Sequence, residues 1–494
     1  MKSFTGHNAS VFTLYNIGLF IGLLAGSLLI SFLVGTQGIV AGAIIVTLFL
    51  GLPILLKIIV DVEFGLYFLI WYGYFLFLIA RLVLPAKVPT GIGVDVIEGA
   101  LLLGILLAES GKKKWDWSYF KNPVTYLLIL LYFYNILQVF NPNAVSLTAW
   151  IASTRGLLFE VFTYFIVVKL FTNLEIIKKF TKWWLFLALL AALYGFFQEY
   201  FGYQEFEWRD IYSSPQTIAL IQNIGILRKF SFMSDVTTFG ILMAAAGVFC
   251  SILALGPVGT KNKIILSISA LLMFISMSFS GTRTATAIVP VGLMIYILMN
   301  ITNRNTLILL FISIIGFCVI LFGPFYGGVV TRIRTTFEPS KDASMNVREF
   351  NRKRIQPYIH EHPFGGGVNT TDGEGEALAP GHPLAGFATD GGYLKTALTT
   401  GWIGLILLMA VYFTTIAIGV TNFYRAKNPF IKSMYGAYIA FFFALLVANY
   451  TQSAMLQKPT GMIVYSILVI MPNLIKFDDK PEAEIMNKKA SASV

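Results

Sequence analysis

Apolar residues run along most of the chain in blocks of about 20, separated by short polar connections, and a block of that length crosses a bilayer as one helix. The blocks predict about fourteen spans, near 14–35, 38–58, 65–84, 91–108, 123–141, 156–172, 183–202, 236–256, 264–280, 285–301, 306–323, 400–421, 433–452 and 460–475. One long polar stretch, 324–400, interrupts the series. The expected fold is an all-α polytopic integral membrane protein of about 12–14 transmembrane helices, with one large extracytoplasmic loop containing short helices. The expected organisation is a membrane bundle over 1–323, the loop over 324–400, further spans over 401–475 and a disordered polar tail over 476–494. The first block, Leu14–Gly35, reads as a full span without the cleavage site of a signal peptide. Neither a repeat of 20–50 residues nor a likeness between the two halves is visible, which counts against a carrier built from paired repeats.

Composition agrees with the pattern. The chain is 56% hydrophobic and 12% charged, roughly half the charge of a soluble domain, with a mean hydropathy of +0.74. A net charge of +11 would point to nucleic acid in a soluble protein; here the question is which side each charge occupies. Lys112, Lys113, Lys114, Lys121, Lys178, Lys179, Lys182, Lys261, Lys263, Arg304, Arg425, Lys427, Lys432, Lys488 and Lys489 all fall on one side of the predicted spans. The positive-inside rule makes that side cytoplasmic, with both termini there and 324–400 outside. Cys250 and Cys318 lie inside apolar blocks and read as inert packing residues. Trp183 and Trp184 are expected in an interfacial belt, and Asp95 and Glu98 at a helix N-terminus.

Several arginines break the charge rule. Arg155 opens the sixth span, Arg228 and Lys229 close the outer loop Gln204–Asp235, and Arg283 lies in the turn Gly281–Thr284. Arg332, Arg334, Arg348, Arg352 and Arg354 fill the first half of the long loop. Charge at a membrane boundary is costly and is retained for a partner, and guanidinium suits bidentate phosphate binding. Arginines from four connections therefore point to an outward-facing anion site, although each alone also fits lipid headgroups or a nearby acid, as Glu160 for Arg155. A helix over Ser344–Gln356 would place Arg348, Arg352 and Gln356 on one face, with Pro357 expected to break or kink it.

The Gly365–Gly366–Gly367 run lacks the Lys and Ser/Thr of a phosphate loop and reads as a turn for close backbone approach. Glu374–Phe387 reads as a flexible stretch containing His382. Three of the four histidines, His360, His362 and His382, fall in this loop, but positions 360 and 362 do not share a helix face. No metal and no cofactor is expected; a general base is, from Asp390, His382 or His362.

The order Ser280-Gly281-Thr282-Arg283-Thr284-Ala285, Val347-Arg348-Glu349, His362-Pro363-Phe364-Gly365-Gly366-Gly367, Asp390-Gly391-Gly392-Tyr393-Leu394 and Gly401-Trp402-Ile403-Gly404 resembles the O-antigen ligase and polymerase superfamily over roughly 220–420. The resemblance implies a GT-C-like glycosyltransferase in the bacterial inner membrane. Such an enzyme takes a glycan from an undecaprenyl-diphosphate-linked donor at the outer face, without metal, and passes it to lipid A core or to another glycan. It implies Arg283 and Arg348 as holders of the diphosphate, with Arg352, Arg228 and Arg155 less securely matched. Ligases carry a histidine where this chain has Asp390, eleven residues before Gly401, and aspartate there is similar to polymerase-type members. Single-base attack by the acceptor would invert the anomeric carbon. A lipid-linked-glycan flippase or exporter and a non-catalytic envelope scaffold are the competing classes. Arginines gathered beneath a loop-covered cavity would favour transfer, and a continuous path between the two faces would favour transport.

Overall fold

The computed structural model describes residues 51–83, 91–112, 115–223, 226–324 and 343–478, with a few isolated positions elsewhere. The expected span at 14–35, most of the second, Arg332 and the tail beyond 478 lie outside the described residues, as does the side chain of Arg348. A short apolar helix, α1 (Gly51–Val60), precedes α2 (Val62–Val83), α3 (Gly91–Ser110), α4 (Pro123–Leu137), α5 (Leu147–Leu170) and α6 (Leu174–Phe201). Two short helices follow, α7 (Glu205–Ile211) and α8 (Pro215–Ile221), then a two-residue hairpin pairing Gln222 with Leu227 and Asn223 with Ile226. The chain continues through α9 (Val236–Leu255), α10 (Thr260–Phe279), α11 (Arg283–Met299) and α12 (Arg304–Phe322). The long loop holds α13 (Ala343–Glu361) and α14 (Asp372–Leu378), and the chain ends in α15 (Gly392–Arg425), α16 (Pro429–Ala448) and α17 (Thr460–Asn473). Ten helices among the described residues are long and apolar enough to cross a membrane. The all-α polytopic fold is as expected.

Local chemistry starts these helices where they start. Asn122 caps α4 ahead of Pro123, and the Asp235 side chain accepts from the N–H groups of Thr237 and Thr238 to open α9. α9 forms the centre of the bundle, packed by α10, α11 and α16. Its small residues Gly240, Ala244, Ala245, Ala246 and Gly247 let neighbours approach; a Cβ at Gly247 would stand 2.6 Å from Cε1 of Phe274. Helix ends sort into two faces. At one, Lys179 pairs with Glu63 (2.7 Å) and Lys427 and Asn428 N–H groups donate to Asp478. At the other lie the α11 start, the 449–459 connection and the long loop.

Five expectations are corrected. Trp184 is fully buried, edge-on to Phe249 and tilted against Phe441, because α6 turns that side of its helix toward α9. Asp95 and Glu98 sit beyond the first turn of α3 and serve α5: Asp95 pairs with Arg155, and buried Glu98 accepts from the Thr163 hydroxyl. α13 runs on past Pro357 to Glu361; Lys353 and Pro357 are both exposed, so water can meet the carbonyl that loses its donor. Glu374–Phe387 is a folded cap, with α14 inside it and Leu384 and His382 buried. Cys250 is in the core as expected, whereas Cys318 is exposed on α12.

Candidate functional site

The connection between α16 and α17, at Asn449–Thr451, is where distant segments meet. Gly392 donates its N–H to the Asn449 carbonyl at 2.9 Å, and a Cβ at Gly391 would fall 2.4 Å from the Tyr450 carbonyl oxygen. That contact docks the start of α15 against the connection. Arg352 reaches it from α13: Nη2 donates to the Tyr450 carbonyl at 3.0 Å and the guanidinium lies 4.2 Å above the Tyr450 ring. The Thr451 and Thr284 hydroxyls are 2.8 Å apart, which brings in Arg283 as the first residue of α11. Arg228 completes the set from the hairpin side. It donates through Nε to the Ser280 carbonyl (2.8 Å), through Nη1 to Leu220 (3.0 Å) and through Nη2 to the Thr282 hydroxyl (3.0 Å). Its side chain crosses Gly281, whose φ of +59° makes the tight turn before α11. Asp390 immediately precedes Gly391 with a φ of +48°, a left-handed conformation uncommon for a non-glycine residue. Arg228 and Arg352 therefore touch one patch around Thr282–Thr284 and Tyr450–Thr451, with Arg283 and Asp390 next in the chain to Thr284 and Gly391 there.

A cavity of about 590 Å³ lies on the other side of this junction. It is bounded by α4, α5, α15, α17 and the connections at 368–374 and 449–457. α4 packs on α15, α15 on α17 and α17 on α5; the α4–α5 flank carries Ile136 and Gly156, which line the cavity and are exposed. Its upper part holds Asn135, Trp150, Asn369, Asn449, Ser453 and Gln457, and its lower part is lined by Leu128, Leu131, Val411 and Leu468, with Glu160 beside Tyr465. Lys395 lines it too, held by Glu374 at 3.1 Å and Asp372 at 3.4 Å.

The glycine run explains how the loop is clamped above these features. Gly366 and Gly367 donate to the carbonyls of Leu398 and Thr399, and Trp402 donates to Pro363, across a break in α15 where Gly401 takes φ +70°. A Cβ at Gly401 would sit 1.9 Å from the Pro363 carbonyl oxygen. The close-approach reading of the run holds, and the Gly401–Gly404 pair belongs to the same junction. His362 stacks on Tyr358, whose ring stands edge-on to His382. Nδ1 of His382 accepts from the Leu384 N–H, and burial pushes its pKa below the usual histidine value of 6.5. These histidines gather near Leu398, six residues or about 9 Å up the helix from Gly392, so the two base candidates occupy different places. Arg155 stands apart from the other arginines: it pairs with Asp95 at 2.6 Å, not with Glu160. Tyr450, Thr451 and the cavity amides escaped the sequence reading because each is an ordinary loop or helix residue until the chain folds.

Residues 268–409 match the family described as O-antigen ligase. A protein named O-antigen polymerase from Salmonella muenchen is 24% identical over 355 residues, covering 68% of this chain and 84% of that one. Both likenesses support the O-antigen ligase and polymerase superfamily. Within the family segment fall Arg283, Arg352, Asp390, the glycine run and Gly401, all of them in the junction described above. Ten apolar helices among the described residues, with these likenesses, support a multi-pass inner-membrane protein.

Proposed function

We propose that this chain is a glycosyltransferase of the polymerase type, extending a glycan from an undecaprenyl-diphosphate-linked donor at the outer face of the inner membrane. The observation that carries the reading is the run of contacts from Arg228 on Thr282, through Thr284 and Thr451, to Tyr450, where Arg352 and the segment bearing Asp390 meet. The arginines, with Arg348 added from α13, hold the donor diphosphate; Arg155, tied to Asp95, has a smaller share. Asp390 takes the proton of an acceptor hydroxyl as that oxygen attacks the anomeric carbon. The bond from that carbon to the diphosphate oxygen breaks, and the guanidinium groups stabilise the departing oxyanion. One displacement inverts the carbon, and no metal is required by this scheme. His382 and His362 are the second choice of base. The relative's name and the aspartate at 390 favour polymerase over ligase. In this reading the basic face is cytoplasmic with both termini, and 324–400 acts as the outer lobe between membrane units 1–323 and 401–475.

The test is a metal-free incubation of the purified protein in nanodiscs with an undecaprenyl-diphosphate-linked repeat unit, resolved by gel, beside a parallel tube containing lipid A core. Lipid-linked chains of increasing length are expected in the first tube. Arg283→Ala, Arg348→Ala and Asp390→Asn should each lower transfer by about 10²-fold or more while still inserting in the membrane. Full transfer by Asp390→Asn would remove it as the base, and transfer only to lipid A core would make the protein a ligase.

A further inference from the structure

The cavity of about 590 Å³ lies within the roughly 300–1,000 Å³ range of small-ligand sites, yet it has the wrong charge for a diphosphate. Among the described residues lining it, the cation is Lys395, and Glu374 and Asp372 hold it in ion pairs. Glu374 is taken up by Lys395 and Glu160 hydrogen-bonds Tyr465, so the described residues of these walls offer an anionic ligand no free cation. Asn135, Asn369, Asn449 and Gln457 instead present neutral amides, each offering both donors and acceptors. A sugar hydroxyl also donates and accepts, and the Trp150 indole offers a flat face to the C–H side of a pyranose. Parts of these amides are already engaged: Asn369 donates to the Ala149 carbonyl, and Gln457 accepts from the Thr238 hydroxyl. The Asn135 amide has no hydrogen-bond partner among the described residues.

Position adds to chemistry. Gly392 and Asn449 line the cavity, while their chain neighbours Gly391 and Tyr450 form the contact beside Asp390 and Arg352. The partition between the cavity and the arginine patch is thus one pair of chain segments, with Asp390 at its edge. We infer that this cavity is the acceptor subsite, binding uncharged sugar residues of the growing glycan and presenting a hydroxyl across the partition to Asp390. The inference rests on the transferase reading above, and it separates the two substrates: phosphate on the arginine side, neutral sugar on the amide side.

The probe is a water-soluble oligosaccharide released by mild acid from the source cell's own surface polysaccharide, carrying neither lipid nor phosphate. Its binding to the full chain in nanodiscs is followed by saturation-transfer NMR, and binding of the radiolabelled undecaprenyl-diphosphate-linked repeat unit is followed in parallel. Asn135→Leu and Ser153→Trp, which remove an amide and fill the cavity, should weaken oligosaccharide binding by about tenfold or more. They should leave binding of the diphosphate lipid within a factor of about two, which also shows that the variants fold. Arg228→Ala should do the reverse. Oligosaccharide binding that is absent from the wild type, or lost in Arg228→Ala and untouched by the cavity variants, overturns the subsite and leaves the transferase reading standing. A wild type that binds the oligosaccharide in the cavity but transfers no sugar supports the sugar site and overturns the transferase reading instead.

Discussion

His382 sits 5% exposed beneath Gly366, where a Cβ would come within 2.6 Å of its Cε1, and its Nδ1 is taken up as an acceptor. Burial is the largest influence on its pKa and lowers it; backbone groups of Asn143 and Gly366 work weakly against that, and His362 with it. A histidine with a depressed folded pKa binds fewer protons when folded than when unfolded. Its neutral form therefore favours the folded state above the ordinary value of 6.5, and that contribution is lost as pH falls toward the lowered value. The melting temperature should drop on acidification below pH 6.5, and drop less in His382→Gln. Parallel melting curves for the two proteins from pH 7.5 to 5 would check this, and equal losses would show that His382 is not the group responsible. The position of His382 in a Pro- and Gly-containing stretch gave no hint of this burial, since the groups that cover it, Tyr358 and Gly366, come from α13 and the glycine run.

At the scale of elements, the loop is held as a lid by backbone contacts more than by side-chain mass. Asn141, between α4 and α5, donates through Nδ2 to the carbonyls of Phe364 and Gly365 at 3.0 and 3.1 Å, and Asn143 donates to Gly365 at 3.1 Å. Asn141→Leu would remove one donor from each carbonyl while Gln138 and Asn143 stay, a loss of about 0.5–1.5 kcal/mol per bond. Limited proteolysis should then cut 343–391 faster while the membrane helices stay protected; an unchanged digestion rate would mean that the remaining contacts suffice. Helix periodicity foretold α13, and the proline rule misplaced its end. The rule assumes an interior carbonyl that nothing else can satisfy, and the exposed side of α13 does not meet that condition.

For the whole molecule, the two faces of the bundle carry the clearest consequence. In a background with Cys250 and Cys318 replaced by serine, Gly381→Cys on the loop and Lys261→Cys at the start of α10 occupy opposite faces, and both positions are exposed. Gly381→Cys should react with a membrane-impermeant maleimide in intact spheroplasts, and Lys261→Cys only after permeabilisation. The opposite pattern would invert the orientation and move the arginine patch to the cytoplasm.

The all-α polytopic character was legible in the chain, because bilayer thickness acts on each apolar segment locally. The arginines and Asp390 stood out for the same reason: each is expensive or unusual where it occurs. Local rules carry no information about which helix faces which. Whether Asp95 serves its own helix or Arg155, whether Trp184 meets lipid or Phe249, and whether Asn135 and Asn449 share a cavity were decided by packing between segments far apart in sequence. The partition at Gly391–Gly392 and Asn449–Tyr450 is the clearest case, since its two strands come from connections about 60 residues apart and neither has a surface to form until the other is docked.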